Sequence, residues 1–246
     1  MIRVAAIVTV YNEDFFLPHL IRHYEREVDK IFVMDNGSDD GSVEPFKNHP
    51  LVEVTSYKTD HLYDTIKLTK AMEKKRENAS NYDYFLILDA DEFVVAKERM
   101  SIKSMLMLSE PKKVYGTDGY NMYTYDDDPP LDPERLLIDQ RKHGVRCDHY
   151  SKPIVIKNDY EPDYVIGCHF IQGVTEPQGE PTWERSFRLL HYRAIDEERY
   201  LARALRTSKR MNPQFLTSVY RNAKIEDFKN RIAHEKNSYP KLKVVT

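Results

Sequence analysis

The sequence predicts an α/β fold with a mostly parallel central sheet flanked by helices. Three observations carry that expectation. Short apolar, β-branched runs alternate with longer helical patterns over roughly the first 90 residues, as parallel strands joined by crossover helices require. The runs are apolar almost throughout rather than at every second position, which suits strands covered on both faces. Polar, turn-forming clusters then follow the strands, and in such sheets ligands bind beyond the carboxyl ends.

The elements follow in order. Residues 3–10 (RVAAIVTV) read as a first buried strand. Asn12 or Asp14 is positioned to cap a helix carrying Phe15, Leu17, Leu20, Ile21 and Tyr24. Residues 31–34 form a second short strand, ending in Asp35-Asn36-Gly37-Ser38-Asp39-Asp40-Gly41-Ser42, a loop dense in turn formers. Residues 51–57 read as a third strand and 60–77 as a helix with Leu62, Ile66, Thr69 and Met72 on one side. Residues 84–88 (YFLIL) make a fourth strand, with Asp89-Ala90-Asp91 at its carboxyl end. Beyond it, 119–125, 152–157 and 187–192 look like strands, separated by proline-rich and acidic stretches. Residues 196–210 and 213–235 look helical. The expected organisation is one domain: a nucleotide-binding half at 1–100, a half at 101–192 that shapes the acceptor side and completes a metal site, and helical C-terminal residues at 193–246.

Composition narrows the class. Hydrophobic residues make up 41% of the 246, enough for a buried core. Thirteen prolines and 17 tyrosines are scattered, which argues against a repeat or a low-complexity linker. No run approaches the ~18 apolar residues of a membrane span. The first strand pattern starts at once, so no signal peptide is expected. Cys147 and Cys168 lack metal-type spacing and read as free thiols. These features point to a cytoplasmic protein. The net charge of -3 hides an asymmetry, because residues 181–246 hold 15 Lys/Arg against 7 Asp/Glu. That basic region suits solvated helix faces, or peripheral contact with an anionic membrane surface or lipid phosphate. A nucleic-acid partner is not expected from a chain of negative charge without a recognised module.

Asp89 and Asp91 carry the chemistry. At the end of a strand, where the chain turns, two carboxylates at i and i+2 can address one ion. A hard divalent cation, Mn or Mg, takes oxygen ligands and keeps positions open for substrate phosphates. A diphosphate leaving group needs its charge neutralised as its bond to a sugar breaks.

Residues 8–13 (VTVYNE), 33–42 (VMDNGSDDGS) and 86–93 (LILDADEF) together resemble the family 2 glycosyltransferases of the GT-A fold. The likeness is to the branch whose acidic motif reads Asp-Ala-Asp-Glu-Phe. The three motifs stand in family order over about the first 95 residues, and Tyr150-Ser151-Lys152-Pro153, Gly167-Cys168-His169 and Leu190-His191-Tyr192-Arg193 add patchier likeness. The resemblance implies that Thr9, Tyr11 and Glu13 lie against the nucleoside, with Tyr11 on the base and Glu13 at the ribose. It implies that Asp35 accepts a hydrogen bond from the base, which suits uracil slightly better than guanine, with residues 36–42 holding Asp35 in place. It also implies a histidine ligand from the carboxyl-terminal half, either His169 or His191. Arg188 and Arg193 flank His191 and could meet the diphosphate, since guanidinium matches phosphate oxygens bidentately. Lys152 is another phosphate contact or a solvent-facing lysine. Inverting transfer needs a carboxylate base near the acceptor hydroxyl. Asp148 is the first choice, with Asp127, within the run Asp126 to Asp128, and Asp163 as alternatives, and Glu161 behind them.

The expected activity is therefore metal-dependent transfer of a sugar from a nucleotide-diphosphate sugar donor, UDP favoured, to a glycan or lipid-linked acceptor. A non-catalytic nucleotide- or glycan-binding protein on the same fold is an alternative. So is a nucleotidyltransferase, although no Gly-rich phosphate loop with a following lysine stands near the first strand. A phosphohydrolase with Asp89 as nucleophile fits poorly, since that chemistry normally uses the first strand.

Overall fold

The computed structural model describes residues 2–57, 59, 65–98, 100–164, 171, 186–210 and 225–245. Its core is a parallel four-stranded sheet, with β1 (Val4–Val10) between β2 (Lys30–Asp35) and β4 (Tyr84–Asp89), and β3 (Val52–Ser56) outside β2. The near-continuous apolar character of β1 has a direct explanation. Val4, Ala6, Val8 and Val10 face one apolar cluster, with Leu17, Leu20 and Tyr24 of helix α1 (Phe16–Tyr24). Ala5 and Ile7 face a second cluster, with Leu68 and Met72 of helix α2 (Thr65–Asn78). Alternate side chains leave a strand on opposite faces, so a strand sandwiched between helices needs both sets apolar.

The sheet continues with antiparallel strands. Strand β8 (Pro153–Lys157) pairs with β4, and the ten-residue β6 (Val114–Tyr123) pairs with β8. Pairing shifts register between Tyr115 and Gly116. From Thr117 onward β6 runs parallel to β9 (Phe187–Ala194), which pairs in turn with β5 (Glu92–Ala96). Strands β7 (His143–Arg146) and β10 (Leu242–Lys243) complete that edge. Helices α3 (Ile102–Leu108), α4 (Leu137–Gln140), α5 (Glu197–Arg210) and α6 (Ile225–Ser238) surround it. The expected α/β class, a mostly parallel central sheet flanked by helices with further helices toward the C-terminus, is the one observed.

Several details differ from the sequence expectation. Strand β6 begins at Val114 rather than 119, because pairing on both edges holds its two glycines and its aspartate in extended backbone. Strand β5 follows the acidic motif after a two-residue turn, and a five-residue run beside so polar a motif gave no period to read. Neither Asn12 nor Asp14 caps α1, whose N-cap residue is Phe15 with no side-chain bond. Asn12 instead adopts a left-handed backbone (φ 54°) and pairs with the 35–42 loop. Its Nδ2 donates to Asp39 Oδ1 at 2.6 Å, and its Oδ1 accepts from Asp39 N at 2.9 Å. Residues 60–64 and 213–224 of the expected helices lie outside the described residues, as do His169 and Cys168. No helix among the described residues is long and apolar enough to cross a membrane.

Candidate functional site

The parallel register puts the first and last polar clusters side by side. Thr9 on β1 is opposite Asp89 on β4, and Thr9 Oγ1 donates to Asp89 Oδ1 at 2.8 Å. Behind Asp89, its backbone N–H donates to Glu92 Oε2 at 3.0 Å, while Lys152 Nζ lies 2.8 Å from Glu92 Oε1. Both Glu92 and Lys152 are buried. Burial pushes the Glu92 carboxyl up to about 7, opposed chiefly by Lys152. Burial also works against ionised Asp89, yet Lys152, Arg203 and the Thr9 hydroxyl leave its carboxyl below the usual range. Lys152 thus underpins the turn that carries the acidic motif rather than facing solvent.

Asp91 is fully buried in the turn between β4 and β5. Its Oδ2 pairs with Arg203 Nη1 and lies 3.3 Å from His191 Nε2 and 3.5 Å from Arg193 Nε. Although burial opposes charge, Arg203 above all, with Arg193 beside it, holds the Asp91 carboxyl well below the ordinary range. His191 sits on β9 in register with Glu92 on one side and Asn121 on the other. Burial drives its imidazole down to about 4, against the pull of Asp91. Arg203 also pairs with Glu13, Nε to Oε1 at 2.9 Å, and Arg206 Nη2 stands 3.8 Å from the same oxygen. Burial pushes the Glu13 carboxyl up to about 7, with Arg203 opposing.

Of these groups, Thr9, Glu13, Asp89, Arg193, Arg203 and Arg206 border a cavity of about 250 Å³ beyond the carboxyl ends of the parallel strands. Thr9, Tyr11, Glu13, Asn36 and Asp89 line one side; Arg193 and the α5 residues Arg203, Arg206 and Arg210 line the other. His149 and Tyr150 close one end. The Tyr11 ring carries the Arg210 guanidinium 3.1 Å from its centroid. Asp35, 8% exposed, ends β2 nearby, but its Oδ1 accepts from Ser38 N at 2.9 Å and Ser38 Oγ at 2.7 Å, so it braces its own loop. Its neighbour Asn36 is the residue that lines the cavity.

The remaining expected residues are distributed as follows. Arg193 reaches the cavity, whereas Arg188 lines a separate one of about 280 Å³ behind the sheet and donates to Val244 O at 3.2 Å. The two are five positions apart on one strand and so leave it on opposite faces. Asp148 is exposed (79% for its side chain) and pairs with Arg146, while the next residue, His149, lines the cavity. Asp127 is exposed beside Lys241. Asp126, Glu161 and Asp163 are exposed, and Asp128 accepts from Tyr125 N at 2.8 Å.

Two buried atoms bear on a divalent cation. Among the described residues, Asp91 Oδ1 and His191 Nε2 have no hydrogen-bond partner. The other ring nitrogen of His191, Nδ1, is 3.1 Å from Asn121 Oδ1, so with the proton there the lone pair of Nε2 is left toward Asp91. A histidine ligand is ordinarily oriented in this way by a second partner. The carboxylate oxygen suits Mn or Mg, whereas the imidazole nitrogen, a softer ligand, fits Mn better than Mg; Asp91 and His191 would hold the ion. Among the described residues no group of three or more His, Cys, Asp and Glu converges on one point.

Sequence reasoning missed the arginines of α5. Arg199, Arg203, Arg206 and Arg210 are spaced four, three and four apart, one face of a helix. That spacing was the available signal.

No protein-family model matches the chain, and no curated protein matches it at a significant level. Among solved structures, it is similar to HddC from Yersinia pseudotuberculosis over 81% of this chain and 97% of that one, at 14% identity and a TM-score of 0.39. A 4-diphosphocytidyl-2C-methyl-D-erythritol synthase matches over 64% and 76%, at 15% identity and a TM-score of 0.38. The same enzyme from Anaerococcus prevotii DSM 20548 matches over 64% and 70%, at 10% identity and 0.36. Likeness at this level does not bear on function.

Proposed function

We propose that this chain is an inverting glycosyltransferase that takes a sugar from a nucleotide-diphosphate donor, UDP favoured, and passes it to a glycan or lipid-linked acceptor. The observation that carries this reading is an arginine-lined cavity at the carboxyl ends of β1 and β4, bordered by Asp89, with Asp91 and His191 buried behind its Arg193 and Arg203. Such a cavity joins groups for a diphosphate with groups for a cation.

In this reading Tyr11, Glu13 and Asn36 receive the nucleoside, and Asp35 fixes the loop that carries Asn36. Arg193, Arg203 and Arg206 orient the diphosphate. A Mg or Mn ion held by Asp91 and His191 would neutralise the leaving diphosphate as a Lewis acid. The acceptor's proton goes to the Asp148–Tyr150 turn. His149 is its group facing the cavity, and burial, with Arg231 and Arg193 adding to it, lowers the pKa of its imidazole, which favours the neutral form that can take a proton. Asp148 is the expected carboxylate at the rim of the same turn.

The test is release of nucleoside diphosphate from a panel of UDP-, GDP-, CDP- and TDP-sugars with manganese. One donor should turn over, by transfer or by slow hydrolysis. Asp91→Asn should lower the rate by about 100-fold or more, the scale of lost leaving-group stabilisation. His149→Gln should cost on the order of 100-fold in kcat with little change in KM, the scale of a lost general base. If Asp148→Asn has that effect and His149→Gln does not, the base is Asp148. Release of pyrophosphate instead would make the protein a nucleotidyltransferase, and donor binding without any release would make it a binding protein.

A further inference from the structure

The charge balance of the cavity does not match that of a site whose affinity for phosphate depends on a metal. Four arginines line it, Arg193, Arg203, Arg206 and Arg210, against two carboxylates, Glu13 and Asp89. Asp91, the most deeply buried carboxylate of the motif, is not among the lining residues and is already neutralised by Arg203. With Arg203 set against Asp91, the arginines Arg193, Arg206 and Arg210 still outnumber Glu13 and Asp89, and because a guanidinium does not lose its proton in a protein this excess of positive charge is permanent.

The arginines are also built in. Helix α5 packs its Tyr200, Leu201 and Ala204 against Ala194 and Ile232, and Tyr200 and Ala204 line the cavity beside the arginines. Arg206 Nη2 donates to Asn12 O at 2.7 Å, which ties it to the loop after β1. Arg203 is held by Asp91 and Glu13 together. Side chains anchored in this way lose little further freedom on meeting a ligand, which favours affinity.

We propose that the arginine face of α5, with Arg193, binds the diphosphate directly, so that a nucleoside diphosphate is held in this cavity without a divalent cation. This rests on the reading of the cavity as a nucleotide site. It assigns the cation at Asp91 and His191 chiefly to bond breaking, with no more than about a tenfold share in affinity.

Calorimetric titration of UDP, GDP and inorganic pyrophosphate tests this, each in EDTA and in manganese. One nucleotide, and pyrophosphate more weakly, should bind in EDTA with a Kd within about tenfold of that in manganese. Arg206→Gln should weaken both ligands by about tenfold or more in EDTA, and Arg206→Lys should fall between, because it keeps the charge and loses the fork. Arg206 is partly exposed, and thermal melts of the variants confirm that they fold. Arg199→Gln, on the same helix but paired with Asp14 outside the cavity, should leave binding unchanged. Binding in manganese that vanishes in EDTA would overturn the proposal and leave the nucleotide site standing. Equal binding by wild type and Arg206→Gln in EDTA would overturn it too. No binding in either buffer would remove the nucleotide reading itself.

Discussion

At the scale of single residues, burial of titratable groups sets the chemistry, and His23 shows it away from the site. Its ring is buried against Phe93, with Nε2 3.0 Å from Val94 O, and burial lowers its pKa to about 4. The unfolded chain takes up this proton near 6.5 and the folded chain only near 4. Between those values the unfolded state binds more protons, so His23 contributes stability above about pH 6.5 that is lost as pH falls toward 4. Replacing it by Gln removes this term. The stability lost by wild type between pH 7 and 4.5 should exceed that lost by His23→Gln by about 2 kcal/mol, read from urea unfolding at both pH values. Equal losses would mean that His23 titrates normally.

The residues that sequence exposed and those it hid differ in a physical way. Asp89 and Asp91 were legible because both lie within three residues at the end of an unmistakable buried strand. Arg203 was not, because the carboxylate that gives it meaning is 112 positions away and its helix face looks like any solvated one. His191 and Arg193 share a strand face, and Arg188 does not; the period of two held that distinction, although all three were read as one cluster.

At the scale of elements, the close approach of β6 to the Asp148–Tyr150 turn decides where His149 stands. Gly119 N donates to Ser151 Oγ at 3.0 Å, and Cys147 N donates to Gly119 O at 2.9 Å. A Cβ at Gly119 would lie 2.6 Å from Tyr150 O and Ser151 N and press on the Tyr150 carbonyl carbon. Backbone cannot move aside as a flexible side chain can. Gly119→Ala should therefore cost about 1–3 kcal/mol, read as a lower urea midpoint, and should lower turnover by displacing His149. Unchanged stability and turnover would show that the turn is not held by this contact. The same contact explains the residue at which the sequence reading starts this strand: the glycine at 119 is there for a neighbouring backbone.

At the scale of the whole molecule, the basic C-terminal region and the acidic remainder meet in ion pairs, some at the cavity and some on the surface. Arg203 and Arg206 answer Glu13 and Asp91; Arg199 answers Asp14; Lys241 answers Asp127. The asymmetry was visible in composition, but its target was not, because charge counts carry no register. The strands and their parallel sense were legible in the first half, where each strand is a single apolar run followed by a polar cluster. It was not legible in the second, where β6 pairs with three different strands.

The central claim is that this cavity is a nucleotide site completed by a cation at Asp91. The most direct measurement is the melting temperature of wild type and Asp91→Asn with UDP, GDP, CMP and TDP, each with and without manganese. A ligand at 100 times its Kd adds about 2.7 kcal/mol to the folded state, a rise of roughly 5–10 °C for a chain of this size. The account predicts such a rise with one nucleoside diphosphate, enlarged by manganese in wild type and not in Asp91→Asn. No rise with any nucleotide under any condition would contradict it.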